Sequence, residues 1–378
     1  MAPTVLVLGG VGFIGRNLVI YLVENKLADY IRVADKAMPE TSYFNERAKA
    51  AFADPCVDCR QANLANASVT EKIFTDGDKT WDIVFNLAAE TKYGQTEEVY
   101  TEKVFGLSVT VAKEAVKRNV PVFVEFSTAQ IYESDKKASS EDTKHVKPWT
   151  QIAKCKLKAE QELTKILGSK LIIMRPAIVY GPSDILGITP RLIVGAVYKQ
   201  LKEEMKLLWT KDLRINTVHV NDVVRASWWA AATKSQGGGR AEGDLNGPCV
   251  YNLADKTDTD QGKMNEFIRQ IFGIDTGFQG TVLSSFAKMN LESVTEEVND
   301  KHLQPWADAC KEGSIQNTPL TPYLDKELLK DNALSVNGSK IETTLGFQYT
   351  VPLMTKESLM EVIDDFVSVG IWPKGTVG

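Results

Sequence analysis

The stretch VLVLGGVGFIGRNLV, residues 5–19, restricts the fold more than any other part of the chain. An apolar strand-like run enters Gly9-Gly10-Val11-Gly12-Phe13-Ile14-Gly15, and an amphipathic helical pattern leaves it. Gly9 permits the tight turn. Gly12 lets a pyrophosphate approach the backbone, and Gly15 lets the helix pack closely on the strand. The positive end of the helix dipole then faces the phosphates. The second strand ends in Asp35, 20 residues beyond Gly15. A carboxylate at that point accepts from both ribose hydroxyls and repels a 2′-phosphate, which favours NAD over NADP. Lys36 beside it pulls the other way.

Downstream, short apolar runs at 31–34, 83–87, 122–126 and 171–174 alternate with helix-period segments such as 97–118 and 150–167. Alternation of this kind predicts an α/β fold, a doubly wound parallel sheet with crossover helices. Beyond residue 181 the pattern loosens. Residues 187–206 read as a helix, 218–220 and 250–255 as strands, and SQGGGRAEGDLNG (235–247) as a glycine-rich surface loop. The polar stretch 276–335 carries helical signals at 284–290 and 324–329 and is assigned to a smaller lobe. A final amphipathic helix covers 356–369. Residues 1–180 are expected to form a dinucleotide-binding core. Residues 181–378 are expected to form mainly a substrate-binding lobe, with about 214–255 returning to the core.

A net charge of −5 argues against a nucleic-acid partner. No apolar run reaches the roughly 20 residues that span a bilayer, and the N-terminus carries no basic leader, so a cytoplasmic location is the expectation. Cys56 and Cys59 form a lone C-x-x-C without a second pair, and the three histidines (His145, His219, His302) do not cluster. No metal is therefore assigned, and the two thiols read as reduced residues entering a strand.

Further motifs follow in order: QANL (61–64), NLAAETKYG (86–94), FSTAQIY (126–132), RPAIVYGP (175–182) and RINTVHVNDVV (214–224). Together with the glycine turn, they resemble the extended short-chain dehydrogenase/reductase family of the NAD-dependent epimerase/dehydratase type over roughly residues 3–255. The resemblance implies a Rossmann fold, NAD as cofactor, a small-molecule substrate and a homodimer paired through the helices at 97–118 and 150–167. It places Gly9, Gly12, Phe13, Ile14, Gly15, Asp35, Lys36, Asn63, Leu64, Leu87, Ala88, Ala89, Lys156, Pro176 and Ile178 at the cofactor. It places Thr91, Tyr93, Thr128 and Arg214 toward the substrate.

The family's catalytic set is Ser/Thr, Tyr and Lys, with the last two spaced Y-x-x-x-K. Thr128 stands at the Ser/Thr position. The segment IAKCKLKAE fits the family helix as Ile152, Cys155, Lys156 and Glu160. A rival register uses Lys154 with Thr150 at the tyrosine position, but it loses the glutamate, so Lys156 is preferred. Neither register contains a tyrosine. Lys103 also replaces an upstream Asn, and Asn86 replaces the usual His. Hydride exchange with an alcohol needs a proton acceptor, and Ile152 cannot be one. Tyr93 and Lys103 are candidate surrogates, as is bound water. Three readings stand: an NAD-dependent oxidoreductase or epimerase with a non-standard site, a non-redox lyase or isomerase that retains NAD, and a catalytically silent NAD-binding sensor or scaffold.

Overall fold

The computed structural model describes residues 2–133, 137–144, 146–238 and 247–377. His145 and residues 239–246 of the expected glycine-rich loop lie outside the described residues. Strands β1 (Thr4–Leu8), β2 (Tyr30–Asp35), β3 (Val57–Gln61), β4 (Ile83–Asn86), β5 (Val122–Phe126) and β6 (Leu171–Pro176) open the chain. They alternate with helices α1 (Phe13–Glu24), α2 (Glu46–Phe52), α3 (Ala67–Phe74), α4 (Glu97–Tyr100), α5 (Leu107–Lys117) and α6 (Gln151–Leu167). Next come β7 (Ile178–Tyr180), α7 (Thr189–Leu201), β8 (Met205–Leu207), β9 (Thr217–His219), α8 (Val220–Ser235) and β10 (Cys249–Leu253). The chain closes through α9 (Gln261–Phe272), β11 (Thr276–Phe278), α10 (Thr281–Met289), α11 (Leu291–Glu312), α12 (Lys340–Leu345) and α13 (Lys356–Ser368).

Among the described residues, seven strands form one parallel sheet in the order β3-β2-β1-β4-β5-β6-β10. The apolar runs are continuous because both faces of the sheet are covered: every residue of β4, β5 and β6 is buried. The strand order turns back between β1 and β4, and ligands of such sheets bind beyond the strand C-termini at that point. Gly9 and the residues after Asn86 sit there.

The helix expected over 97–118 runs without interruption from Glu97 to Lys117, but its middle is a π-type turn over Thr101–Gly106, between α4 and α5, that contains Lys103. The Lys103 carbonyl accepts the Glu90 backbone N–H at 3.1 Å, an out-of-helix bond that fixes the loop after β4. Helix α6 starts at Gln151, capped by the Thr150 hydroxyl, which accepts from the Ala153 N–H at 3.1 Å.

A second apolar cluster joins α7, α9 and α13 through Leu192, Ile193, Ile268, Phe272, Leu359 and Phe366. Val218, Val223, Ala230, Tyr251 and Leu253 pack in the core cluster with β5 and α1, and so do Leu334, Val336, Ile341 and Phe347. Asp222 ties the C-terminal segment down, accepting from Thr350 N–H at 2.8 Å and Val351 N–H at 2.7 Å. Two readings of the polar stretch 276–335 need correction. Residues 324–329 form turns rather than a helix. The 22-residue α11 was masked in the sequence by its polar run and by Pro305 inside it. No helix among the described residues is long and apolar enough to cross a membrane.

Candidate active site

A cleft of about 920 Å³ runs from the glycine turn across the C-terminal ends of the strands and under the lobe. At its core end, Gly9 adopts φ +79°, and a Cβ there would stand 2.6 Å from the Ala88 nitrogen. A Cβ on Gly15 would collide with the Gly9 carbonyl oxygen and the Gly10 backbone. Gly12 differs. Its φ is −65°, and it is exposed to the cleft. It begins α1 with no side-chain cap, so the first-turn N–H groups are left for a ligand. The Asp35 carboxylate accepts from Val11 N–H at 3.0 Å and Ala37 N–H at 3.1 Å, which aims it at the mouth of the turn. Phe13, Ile14, Asn63, Leu64, Leu87, Ala88, Ala89, Pro176 and Ile178 line the same stretch of wall. Lys36 is turned toward Glu90 at 3.3 Å. The cradle therefore fits NAD: open backbone donors for a pyrophosphate, and a carboxylate for a ribose. Calorimetric titration is expected to give at least about tenfold tighter binding of NAD(H) than of NADP(H), the scale of one charge-assisted hydrogen bond. Equal affinities would show that Lys36 outweighs Asp35.

Farther along the cleft, Thr128, Lys156, Tyr93, Thr91 and Lys103 are brought together as lining residues. Lys154 is exposed on the opposite face of α6 and does not line the cleft, so the geometry favours the Lys156 register. Lys156 is 6% exposed, and its ammonium lies 3.2 Å from Glu125 Oε1. Glu125 is fully buried in β5. It also accepts from Asn86 Nδ2 at 2.6 Å and from Ser108 Oγ at 2.9 Å. A buried acid is tolerable only with partners of this kind, and here the partners come from β4, α5 and α6.

Ile152 lies one turn before Lys156, packed among Tyr100, Val104 and Cys155 with Tyr93 against them. The Tyr93 hydroxyl accepts from Gln130 Nε2 at 3.3 Å, and Gln130 Oε1 accepts from the Thr150 hydroxyl at 3.0 Å. Burial pushes the Tyr93 phenol pKa up. Thr128 Oγ1 accepts from the Gln130 backbone N–H at 3.2 Å, which leaves its own proton to donate.

Arg214 departs from expectation. It does not line the cleft; its guanidinium is held by Asp260 at 2.8 Å and Asp258 at 3.2 Å. The lining arginine of that region is instead Arg191, on the first turns of α7. Sequence reasoning missed it because it sits in an ordinary helical pattern after Pro190. It also missed Glu125. An acid inside the run VFVEF was a visible signal of a buried partner.

The fold and the cleft define a dinucleotide-dependent enzyme of the short-chain dehydrogenase type. The sequence profile of the NAD dependent epimerase/dehydratase family matches residues 5–254, and the chain belongs to that family. Its cofactor is NAD. Solved structures share the fold at low identity. Pal from Bacillus thuringiensis superposes with TM-score 0.68 at 16% identity, covering 97% of this chain and 99% of that one. UDP-glucose 4-epimerase from Thermotoga maritima, with UDP-glucose, gives 0.63 at 19% identity, covering 96% and 98%. UDP-glucuronic acid 4-epimerase from Bacillus cereus, with UDP-glucuronic acid and NAD, gives 0.65 at 16% identity, covering 97% and 98%. No curated protein matches the chain in sequence.

Proposed function

We propose that this chain is an NAD-dependent oxidoreductase acting on a hydroxyl or carbonyl of a small organic molecule, with Tyr93 in place of the family's missing tyrosine. The observation that carries the reading is the convergence of the dinucleotide residues with Thr128, Lys156 and Tyr93 in one cleft. NAD, when bound, supplies reversible hydride transfer. Lys156, anchored by Glu125, offers its remaining N–H groups to ribose hydroxyls. The Thr128 hydroxyl donates to the substrate oxygen. The Tyr93 hydroxyl already accepts from Gln130, so its own proton is free to be given to that oxygen during reduction. Its raised pKa keeps the phenol protonated through the neutral range, so the proton is given only as the substrate oxygen becomes strongly basic on hydride arrival. Glu125 compensates the Lys156 charge that would otherwise activate a phenol at position 152, in keeping with the isoleucine found there.

Tyr93→Phe deletes one oxygen and keeps the packing. It is expected to lower NADH-dependent reductase turnover about 10²-fold or more, the range of a lost general acid, with NADH affinity unchanged. Unchanged turnover transfers the role to Lys103 or to bound water. A second reading, an NAD-binding protein without turnover, draws on the apolar packing of Ile152. It gains if the wild-type chain binds NADH yet reduces no ketone across a broad panel.

A further inference from the structure

The half of the cleft beyond Thr128 is walled by Leu208, Trp209, Leu213, Leu324, Leu328 and Leu329, all contributed by residues after the core. Several of its polar groups are committed, although among the described residues the Trp149 indole N–H is not. Gln261 Nε2 donates to the Leu208 carbonyl at 2.8 Å. Lys330 donates to the Trp149 carbonyl at 3.2 Å. Asp184 spends its carboxylate on the backbone N–H groups of Leu186, Gly187, Ile188 and Thr189. Of the other lining cations, Lys156 is paired with Glu125 and Lys36 with Glu90, Lys103 lies in the field of Glu90, and Arg16 donates to the Val11 and Tyr43 carbonyls.

Arg191 is the exception. Among the described residues its guanidinium makes no hydrogen bond and no ion pair, and the charged or polar groups that act on it are Asp184 and Tyr93. Burial pulls its pKa below the ordinary value, and the Asp184 carboxylate offsets only part of that. A partly buried guanidinium with open donors calls for an oxyanion. Leucine walls call for hydrocarbon. A nucleotide would need donors and acceptors for base, ribose and diphosphate, and the one arginine expected for a diphosphate, Arg214, is closed off by Asp258 and Asp260.

We propose that the substrate is an apolar hydroxy or oxo acid, whose carboxylate pairs with Arg191 and whose hydrocarbon body lies against the leucine wall. This rests on the oxidoreductase reading. Arg191 and Tyr93 line the same cleft, and the Tyr93 hydroxyl accepts from Gln130, the second residue after Thr128. In reduction, the carbonyl carbon gains a hydride from NADH as the C=O π bond breaks. The oxygen gains the Tyr93 proton, which solvent replaces.

The test uses the full chain saturated with NAD and follows the tryptophan fluorescence of Trp149 and Trp209, both in the cleft wall. Dodecanoate should bind saturably and at least tenfold tighter than dodecanol. Arg191→Leu should remove that advantage and leave dodecanol binding unchanged. Arg191→Gln, which keeps a polar group, serves if the leucine variant fails to fold; the wild-type comparison of the two probes stands without either. Equal binding of acid and alcohol, an unchanged dodecanoate affinity in a folded variant, or binding of uridine diphosphate in place of dodecanoate would overturn the proposal. Activity separates the two readings. Arg191-dependent dodecanoate binding without reduction of 3-oxododecanoate would sink the oxidoreductase and leave the acid site. Reduction of uncharged ketones with no preference for acids would do the reverse.

Discussion

Gly12→Val is expected to fold normally and to lose NAD binding by at least about 100-fold, or ~2.7 kcal/mol. The backbone at Gly12 has φ −65°, a value valine accepts, and the only neighbour within 4 Å of a new Cβ is the Gly9 carbonyl oxygen at 3.3 Å. The side chain would project into the open cleft, where a pyrophosphate must meet the first turn of α1. Gly15→Val is the contrast: its Cβ has no room against the Gly9 and Gly10 backbone, so that variant is expected to lose the fold itself. Calorimetric NAD titration with circular dichroism distinguishes the two. A folded Gly12→Val protein that still binds NAD at wild-type affinity would mean that the glycine turn does not carry the cofactor.

Glu125→Ala has the second large effect. It leaves the Lys156 ammonium 6% exposed without its counter-ion, and it deprives Asn86 and Ser108 of their acceptor. Breaking a buried pair from one side costs about 3–5 kcal/mol. Lys156→Met should cost a similar amount, because it strands the fully buried Glu125. The double variant Glu125→Ala/Lys156→Met removes both charges and should cost less than the sum of the two single changes. Urea denaturation of the wild type and the three variants measures the cycle. A cost below about 1 kcal/mol for Glu125→Ala would show that water reaches the pair, as in a surface ion pair.

Much of the core was legible because its signals are local. The strands at 31–34 and 122–126 declare themselves by composition, and the glycine turn by residues whose steric roles are fixed within one loop. The absence of a tyrosine four residues before either candidate lysine was equally legible, since a four-residue helical spacing needs no tertiary information. What escaped was decided across the chain. Glu125 makes sense only beside Asn86, Ser108 and Lys156, which lie 17 to 39 positions away. Arg214 looked like an anion binder until Asp258 and Asp260 were placed against it. Arg191 became visible only once the leucine wall had closed around it. The turns at 324–329 carry helix-forming residues, but they are held by long-range contacts. Leu324 N–H donates to Asn299 Oδ1 at 2.8 Å, and the Leu329 carbonyl accepts from Trp209 Nε1 at 2.9 Å.

The placement of β10 at the sheet's end has a consequence for the chain as it is being made. β6 pairs on its outer side with β10, register Ile172 against Cys249, although the intervening sequence builds three short strands, β7, β8 and β9, and the helices α7 and α8 first. At roughly 5–20 residues per second of synthesis, the fully apolar edge LIIM waits on the order of 4–15 s for its partner strand. During that interval the nascent core presents an open row of backbone donors and acceptors, the kind of surface that templates aggregation between neighbouring ribosome products. Chaperone occupancy on translating chains should accordingly peak after β6 emerges and fall once Leu253 clears the exit tunnel.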